Sequence, residues 1–209
     1  MTLRDAPAAE VARAFPETWV VVLTAPEARG LSDREIAAAM RVAGCEEAPV
    51  RRLGPAAAEF ASPRGGIEHA AAWDGILPGI DVNCLPEEGR RKRILLADMD
   101  STVIGVECID EIAELAGVGP QVAGITERAM AGELGFEGAL AERVALLAGL
   151  PEAALSRVLS ERIRLNPGAR ALVRTMARDG AATALVSGGF TWFTGAVAEA
   201  AGFAEHRAN

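Results

Sequence analysis

Two acidic residues follow a short apolar run near the middle of the chain. The run is Ile94-Leu95-Leu96-Ala97, and the polar stretch after it is Asp98-Met99-Asp100-Ser101-Thr102. Four apolar residues that end in acids predict a buried strand of a parallel sheet, and open α/β sheets bind ligands at the carboxyl ends of such strands. On a continuing strand, Asp98 and Asp100 would project from one face, where paired carboxylates suit a bound cation. The alternative is that the two acids cap the next helix or lie in a solvated loop.

A second strand end carries residues suited to a phosphate. The apolar run Ala181–Val186 stops at Ser187-Gly188-Gly189-Phe190, and a helix is predicted over Thr191–Ala201. A hydroxyl and small-residue backbone amides at a helix N-terminus suit a phosphate, and the glycines permit a close approach. Because Ser-Gly-Gly is also ordinary turn chemistry, the functional interpretation depends on both polar stretches ending strands of one sheet.

The sequence between these two strand ends is predicted to be helical. Apolar residues recur at helical spacing, with Gly or Pro between the segments, over 107–116, 120–130, 136–147 and 151–162. A further helix is predicted over Pro167–Arg178, with Asn166 as its N-cap and Gly180 at its end. The pattern indicates an all-helical cap, approximately 106–165, inserted between two strands of a parallel sheet.

The N-terminal part of the chain is predicted to form a separate small α/β domain. Strands are expected over Trp19–Thr24, around Val50–Leu53 and over Ile80–Leu85, and helices over Ser32–Ala43 and Ile67–Trp73. The charged stretch 86–93 predicts a linker. The expected domains are therefore 1–86 and 91–209.

Composition narrows the possible functions. Half of the 209 residues are hydrophobic and the formal net charge is -8, so nucleic acids and anionic membranes would be repelled. No apolar stretch is long enough to cross a bilayer and the first residues lack a signal sequence, which predicts a cytoplasmic protein. Three cysteines without CxxC spacing predict reduced thiols. The expected partner is a small molecule, and the sequence leaves the assembly open between a monomer and a homodimer.

Over residues 91–203 the chain resembles the haloacid dehalogenase superfamily of phosphatases, and within it the phosphoserine phosphatases. The residues that carry the resemblance are Asp98–Ile104, Glu107, Met130–Phe136, Arg143-Val144 and Val186–Phe190. The resemblance implies a Rossmannoid parallel sheet with an all-helical cap. By the same resemblance to longer members of the family, the N-terminal domain is expected to be an ACT-like module that binds amino acids and regulates the enzyme.

The resemblance also implies a catalytic role for each acid of the first motif. Asp98 would attack the phosphoryl group and form an aspartyl-phosphate. Asp100 would protonate the leaving serine oxygen and then activate the water that hydrolyses the intermediate. Mg²⁺ is expected as the cofactor, held by the side chain of Asp98 and, in the family, by the backbone carbonyl of Asp100.

Substrate contacts carry over by resemblance in the same way. Glu107 would receive the amino group of phosphoserine, and Arg143 in the cap would hold its carboxylate. Met130 and Phe136 would line the substrate pocket. Ser187 and Gly188 would form the turn that contacts the phosphate.

Without the resemblance, the substrate residues have simpler interpretations. Arg143 interrupts an apolar helix face, so it would snorkel or pair with a neighbouring acid such as Glu133. Glu107 is a typical first-turn helix acid. Met130 and Phe136 are typical core residues.

The chain departs from the family pattern after Ser187. The family has a later lysine and a Gly-Asp-Gly-x-Asn-Asp segment, whereas no lysine follows Lys92 here and no second acidic motif is present. We therefore expect an incomplete copy, lacking the last strands of the sheet. The predicted function is Mg²⁺-dependent hydrolysis of O-phospho-L-serine in L-serine biosynthesis. Two alternatives stay open: a phosphatase or phosphotransferase for another small phosphomonoester, and a catalytically incomplete fragment that only binds ligand.

Overall fold

The computed structural model describes residues 18–62, 73, 75 and 77–209. The chain divides into two compact units, Met1–Arg91 and Lys92–Asn209, and the division falls within the charged stretch 86–93. In the described part of the chain, no helix has the length and apolarity that a membrane span requires.

The first unit is a four-stranded antiparallel sheet with one described helix against it. Its elements are β1 Trp19–Thr24, α1 Asp33–Ala43, β2 Val50–Gly54, β3 Ala57–Ser62 and β4 Asp81–Pro86, and the strand order is β2-β3-β1-β4. Helix α1 begins at a capping box between Ser32 and Glu35 and ends at Gly44, whose φ of 64° is left-handed. Its spacing buries Ile36, Ala39, Met40 and Ala43 in the core beneath the sheet.

One sequence prediction differs from this unit, and another lies almost wholly outside the described residues. The sequence predicts one strand around Val50–Leu53, whereas the structure has a hairpin of β2 and β3. Strand β3 is rich in alanine and contains Glu59, which is buried, so its composition does not indicate a strand. Ion pairs from Arg51 and Arg90 make that burial possible. The helix predicted over Ile67–Trp73 lies outside the described residues except for Trp73.

The second unit joins a three-stranded parallel sheet to two groups of helices. Strands β5 Ile94–Ala97, β6 Ala182–Val186 and β7 Glu205–Arg207 pair in the order β5-β6-β7. Two helices belong to the sheet layer: α6 Ala169–Arg178 and α7 Thr191–Ala201. The other four follow β5 and form the helical cap: α2 Cys108–Ala116, α3 Gly119–Met130, α4 Phe136–Leu146 and α5 Glu152–Glu161. A bridge between Ile104 and Leu165 closes the base of the cap.

The prediction that β5 is a buried strand is wrong for one of its two faces. Leu95 and Ala97 pack on the core, whereas Ile94 is 71% exposed and Leu96 is 67% exposed. In the described part of the chain β5 lies at the edge of the sheet and only one of its faces is covered, so half of its apolar side chains lack a partner layer. The strand ends at Ala97, as the sequence predicts, so Asp98 and Asp100 follow it in an irregular turn and do not lie on a continuing strand.

One further prediction fails at a helix end, and one strand has no counterpart among the predictions. Asn166 does not cap α6, because Gly168 holds the N-cap position. Instead, the Asn166 side-chain amide donates to the Thr102 carbonyl at 2.8 Å, and its backbone N–H donates to the Val103 carbonyl at 2.9 Å. Strand β7 was not predicted, because its sequence Glu-His-Arg is short and polar.

Candidate active site

The segment after β5 is a tight, irregular helical turn over Met99–Val103. Met99 is fully buried and anchors the turn in the core, and its carbonyl accepts from the Ile104 N–H at 3.0 Å. The Asp98 carboxylate accepts from the Met99 N–H at 2.8 Å through Oδ1. The turn therefore fixes an exposed carboxylate at the carboxyl end of the strand.

Both carboxylate oxygens of Asp100 accept hydrogen bonds from other elements. The N–H of Cys108, the first residue of α2, donates to Oδ1 at 2.8 Å. The Ser187 hydroxyl donates to Oδ2 at 2.9 Å. The two polar strand ends that the sequence singles out therefore meet directly. The helix-capping alternative for the acids also holds in part, since Asp100 satisfies an otherwise unpaired amide of α2.

The Ser187-Gly188-Gly189 turn is held by the segment that follows β7. The Ser187 oxygen accepts from the Gly189 N–H at 2.8 Å. Asn209 binds this turn in two ways: its side-chain amide donates to the Gly188 carbonyl at 2.9 Å, and its backbone N–H donates to the Gly189 carbonyl at 3.1 Å. Asn209 could not be identified from the sequence, because nothing in the sequence shows that a short polar strand brings this residue beside the turn.

Glu107 and Arg143 each form a hydrogen bond to a nearby residue. Glu107 occupies the N-cap position of α2 but accepts from the Ser101 hydroxyl at 2.7 Å rather than from a helix amide. Arg143 donates from Nε to the Ala139 carbonyl of its own helix at 3.2 Å. Glu133, its expected partner, pairs with Arg128 instead.

One cavity of about 250 Å³ brings most of the predicted site residues together. Its walls include seven of the eight: Asp98, Asp100, Glu107, Phe136, Arg143, Ser187 and Gly188. Met130 lies outside it, at the end of α3, and is 85% exposed. The cavity does not include Met130, contrary to the expected pocket wall, and the core alternative is wrong as well, because the side chain is exposed.

The cavity also contains a buried thiol that stays protonated. Burial raises the pKa of the Cys108 thiol far above its ordinary value, and the negative charge of Asp100 raises it further. Burial likewise raises the pKa of Asp110, on the same helix, while the positive charge of Arg143 opposes that rise. A thiol that stays protonated is a poor nucleophile.

Comparison with known proteins decides the family. The sequence model of the family described as "haloacid dehalogenase-like hydrolase" matches residues 95–209, which is more than half of the chain. This chain belongs to the haloacid dehalogenase-like hydrolase family. Its α/β fold, with a parallel sheet and flanking helices, is the fold of that family.

The relatives of this haloacid dehalogenase-like chain include curated phosphoserine phosphatases. It is 49% identical over 126 residues to the enzyme of Archaeoglobus fulgidus, covering 59% of this chain and 36% of the relative. It is 43% identical over 137 residues to the enzyme of a Polaromonas species, covering 64% of this chain and 58% of the relative. The chain thus spans between about one third and six tenths of the length of these two relatives.

Solved structures show the same similarity. The unliganded crystal structure of a probable phosphoserine phosphatase from Vibrio cholerae superposes with a TM-score of 0.68 at 29% identity, covering 99% of this chain and 64% of that one. A phospho-aspartyl intermediate analogue of a phosphoserine phosphatase superposes with a TM-score of 0.51 at 38% identity, covering 56% of each chain.

The donor set of the cavity fits the Mg²⁺ that is typical of phosphatases in this family. The exposed Asp98 carboxylate offers hard oxygen ligands, which Mg²⁺ prefers. Among the described residues, no cluster of three or more Asp, Glu, His or Cys side chains is available as a metal cage. A magnesium ion that keeps several water ligands needs no such cage.

Proposed function

We propose that this chain carries the site of a phosphoserine phosphatase, which hydrolyses O-phospho-L-serine to L-serine and phosphate with Mg²⁺. The observation that carries the proposal is the composition of the cavity beside Asp98. It presents a carboxylate from Glu107, a guanidinium from Arg143 and the first-motif acids around the Ser187 turn. These groups match the ammonium, carboxylate and phosphate of phosphoserine. The relatives from Archaeoglobus fulgidus and the Polaromonas species are named phosphoserine phosphatases.

The first chemical step is attack by Asp98 on phosphorus. A carboxylate oxygen of Asp98 forms a bond to phosphorus while the bond between phosphorus and the serine oxygen breaks, which leaves an acyl phosphate on Asp98. Asp100 supplies the proton that the leaving serine oxygen requires. Bound Mg²⁺ would reduce the repulsion between the carboxylate and the phosphate.

The second step regenerates the enzyme. Asp100, now a carboxylate, takes a proton from a water molecule. The oxygen of that water attacks phosphorus, and the bond from phosphorus to Asp98 breaks. The hydrogen bonds from Ser187 and Cys108 hold Asp100 in one orientation for both proton transfers. Because Ser187 accepts from Gly189 as it donates to Asp100, one short turn orients the acid.

Glu107→Gln tests the identity of the substrate. We expect kcat/KM for O-phospho-L-serine to fall about 10- to 100-fold, because a hydrogen bond to a charged group contributes roughly 1.5 to 3 kcal/mol. Turnover of 3-phosphooxypropionate, which lacks the amino group, should stay unchanged. The measurement is phosphate release at saturating Mg²⁺.

The matched control is Glu137→Gln, at an exposed acid in the first turn of α4, which should leave both substrates unaffected. Equal loss for the two substrates would favour the alternative of another phosphomonoester. Binding without phosphate release by the unmodified chain would favour the ligand-binding alternative. If the phosphoserine assignment holds, the reaction belongs to L-serine biosynthesis, which we place in the cytoplasm.

We further propose that the first unit is an ACT-like module that binds an amino acid. Its described elements follow the order β-α-β-β-β, and the sheet order β2-β3-β1-β4 is that of a ferredoxin-like βαββαβ fold. We expect calorimetric titration of the full-length Glu107→Gln variant with L-serine to show saturable heat, since this substitution weakens binding in the cavity. Absence of that heat, or equal heat with every amino acid tried, would contradict the proposal.

A further inference from the structure

We propose that Ser101 is a positioning residue, which orients Glu107 and thereby sets the preference for phosphomonoesters that carry an amino group. The inference rests on the proposed function, because Glu107 is there the acceptor for the substrate ammonium. It adds a residue to which the resemblance gives no role.

The backbone of Ser101 is the first observation. Its φ of 50° makes it the one residue other than glycine with a left-handed conformation in the described part of the chain. Glycine adopts this conformation without cost, whereas a residue with a Cβ is strained there. Strain of this kind persists where the surrounding structure enforces it, and it is found at active sites. The backbone conformation of Ser101 is therefore consistent with a role for its side chain in the site.

The Ser101 hydroxyl supplies the second observation. It donates to Oε1 of Glu107 at 2.7 Å, and the backbone N–H of Ser101 donates to the Val106 carbonyl at 3.2 Å. Glu107 makes no side-chain hydrogen bond to the helix that it begins. Ser101 therefore orients this carboxylate through one oxygen, and the second oxygen stays available to an ammonium group.

A parallel contact separates substrate recognition from proton transfer. Asp100 and Cys108 are joined by a hydrogen bond of 2.8 Å, directly beside the pair formed by Ser101 and Glu107. Removing the Ser101 hydroxyl breaks its hydrogen bond to Glu107 and leaves the hydrogen bond between Cys108 and Asp100 in place. The affinity for an amino group should therefore fall, while proton transfer at Asp100 continues at its usual rate.

The test compares Ser101→Ala with Ser101→Gly. Both variants lose the hydroxyl, but only glycine relieves the positive φ, so a defect common to both belongs to the hydroxyl rather than to the backbone. We expect KM for O-phospho-L-serine to rise about 10-fold in both variants, with kcat within twofold, while KM for 3-phosphooxypropionate stays unchanged. Ser156→Ala, at an exposed position of α5, is the matched control. Thermal unfolding reports whether each variant folds.

A binding measurement keeps the test independent of turnover. In an Asp98→Asn background, which should block consumption of the ligand, calorimetry gives the ratio of the Kd values for the two ligands at constant Mg²⁺. Adding Glu107→Gln to Ser101→Gly should lower that ratio by less than Glu107→Gln does in the chain with Ser101, because the two substitutions remove parts of one interaction.

The outcomes separate the inference from the proposed function. If the chain without changes at Ser101 binds both ligands equally, the proposed function fails and the inference fails with it. If that chain prefers O-phospho-L-serine and the Ser101 variants keep the preference, only the inference is overturned. If Ser101→Gly behaves as the unmodified chain while Ser101→Ala does not, backbone conformation is the cause and the role of the hydroxyl is refuted.

Discussion

Asp98→Asn should abolish the release of phosphate from O-phospho-L-serine while the fold stays intact. The amide of asparagine is neutral and cannot attack phosphorus as a carboxylate does, so we expect kcat to fall by about 10³-fold or more, as when other catalytic nucleophiles are removed. Stability should change little, because Asp98 is exposed and an asparagine oxygen can still accept from the Met99 N–H. Phosphate release and thermal unfolding of the two proteins measure the two effects.

A trapping experiment shows whether Asp98 is the residue that carries the phosphoryl group. Rapid acid quenching with radiolabelled O-phospho-L-serine should leave label on the unmodified chain and none on the variant. Asp179→Asn, an exposed acid after α6, has the same change of charge outside the cavity and should keep both label and rate. A variant at Asp98 that still became labelled would assign the nucleophile to another residue.

The meeting of the two polar strand ends could be predicted from the sequence. Asp100 and Ser187 are 87 residues apart, yet they share a hydrogen bond of 2.9 Å, because the carboxyl ends of parallel strands meet at one sheet edge. The helix ends were predictable for a local reason. Gly44 and Gly117 both adopt a positive φ just after a helix, which glycine permits.

Features that depend on tertiary contacts could not be predicted in this way. Asn166 follows the rule for an N-cap, but its amide and backbone N–H donate to carbonyls of the turn after Asp100, and Gly168 holds the N-cap position instead. Strand β7 has no apolar pattern that would indicate a strand. It is held by its pairing with β6, which the sequence does not show. The hydrogen bond from the Ser101 hydroxyl to Glu107 could not be predicted either, because it occurs in a turn where Ser101 has a left-handed backbone conformation.

Gly189→Ala should lower kcat by about 10²-fold, since small displacements of catalytic groups cost that much. A Cβ at this position would lie 3.1 Å from the Ser187 Oγ and 3.2 Å from Oδ2 of Asp100, against the hydrogen bond that joins them. The φ of Gly189 is outside the left-handed region, so alanine fits the backbone and the expected damage is to the Asp100 carboxylate rather than to the fold. Steady-state kinetics with thermal unfolding as a folding check measure the effect.

Gly188→Ala is the matched variant, because it adds the same methyl group one residue earlier in the same turn. There the Cβ would lie 3.0 Å from Cζ of Phe136, whose ring is 59% exposed and free to move aside. We expect KM to rise, because a wall of the cavity shifts, while kcat stays within about threefold of that of the unmodified chain. Equal losses of kcat in the two variants would show that any crowding of the turn is harmful. An unchanged kcat in Gly189→Ala would show that Asp100 does not need the Ser187 hydroxyl for proton transfer.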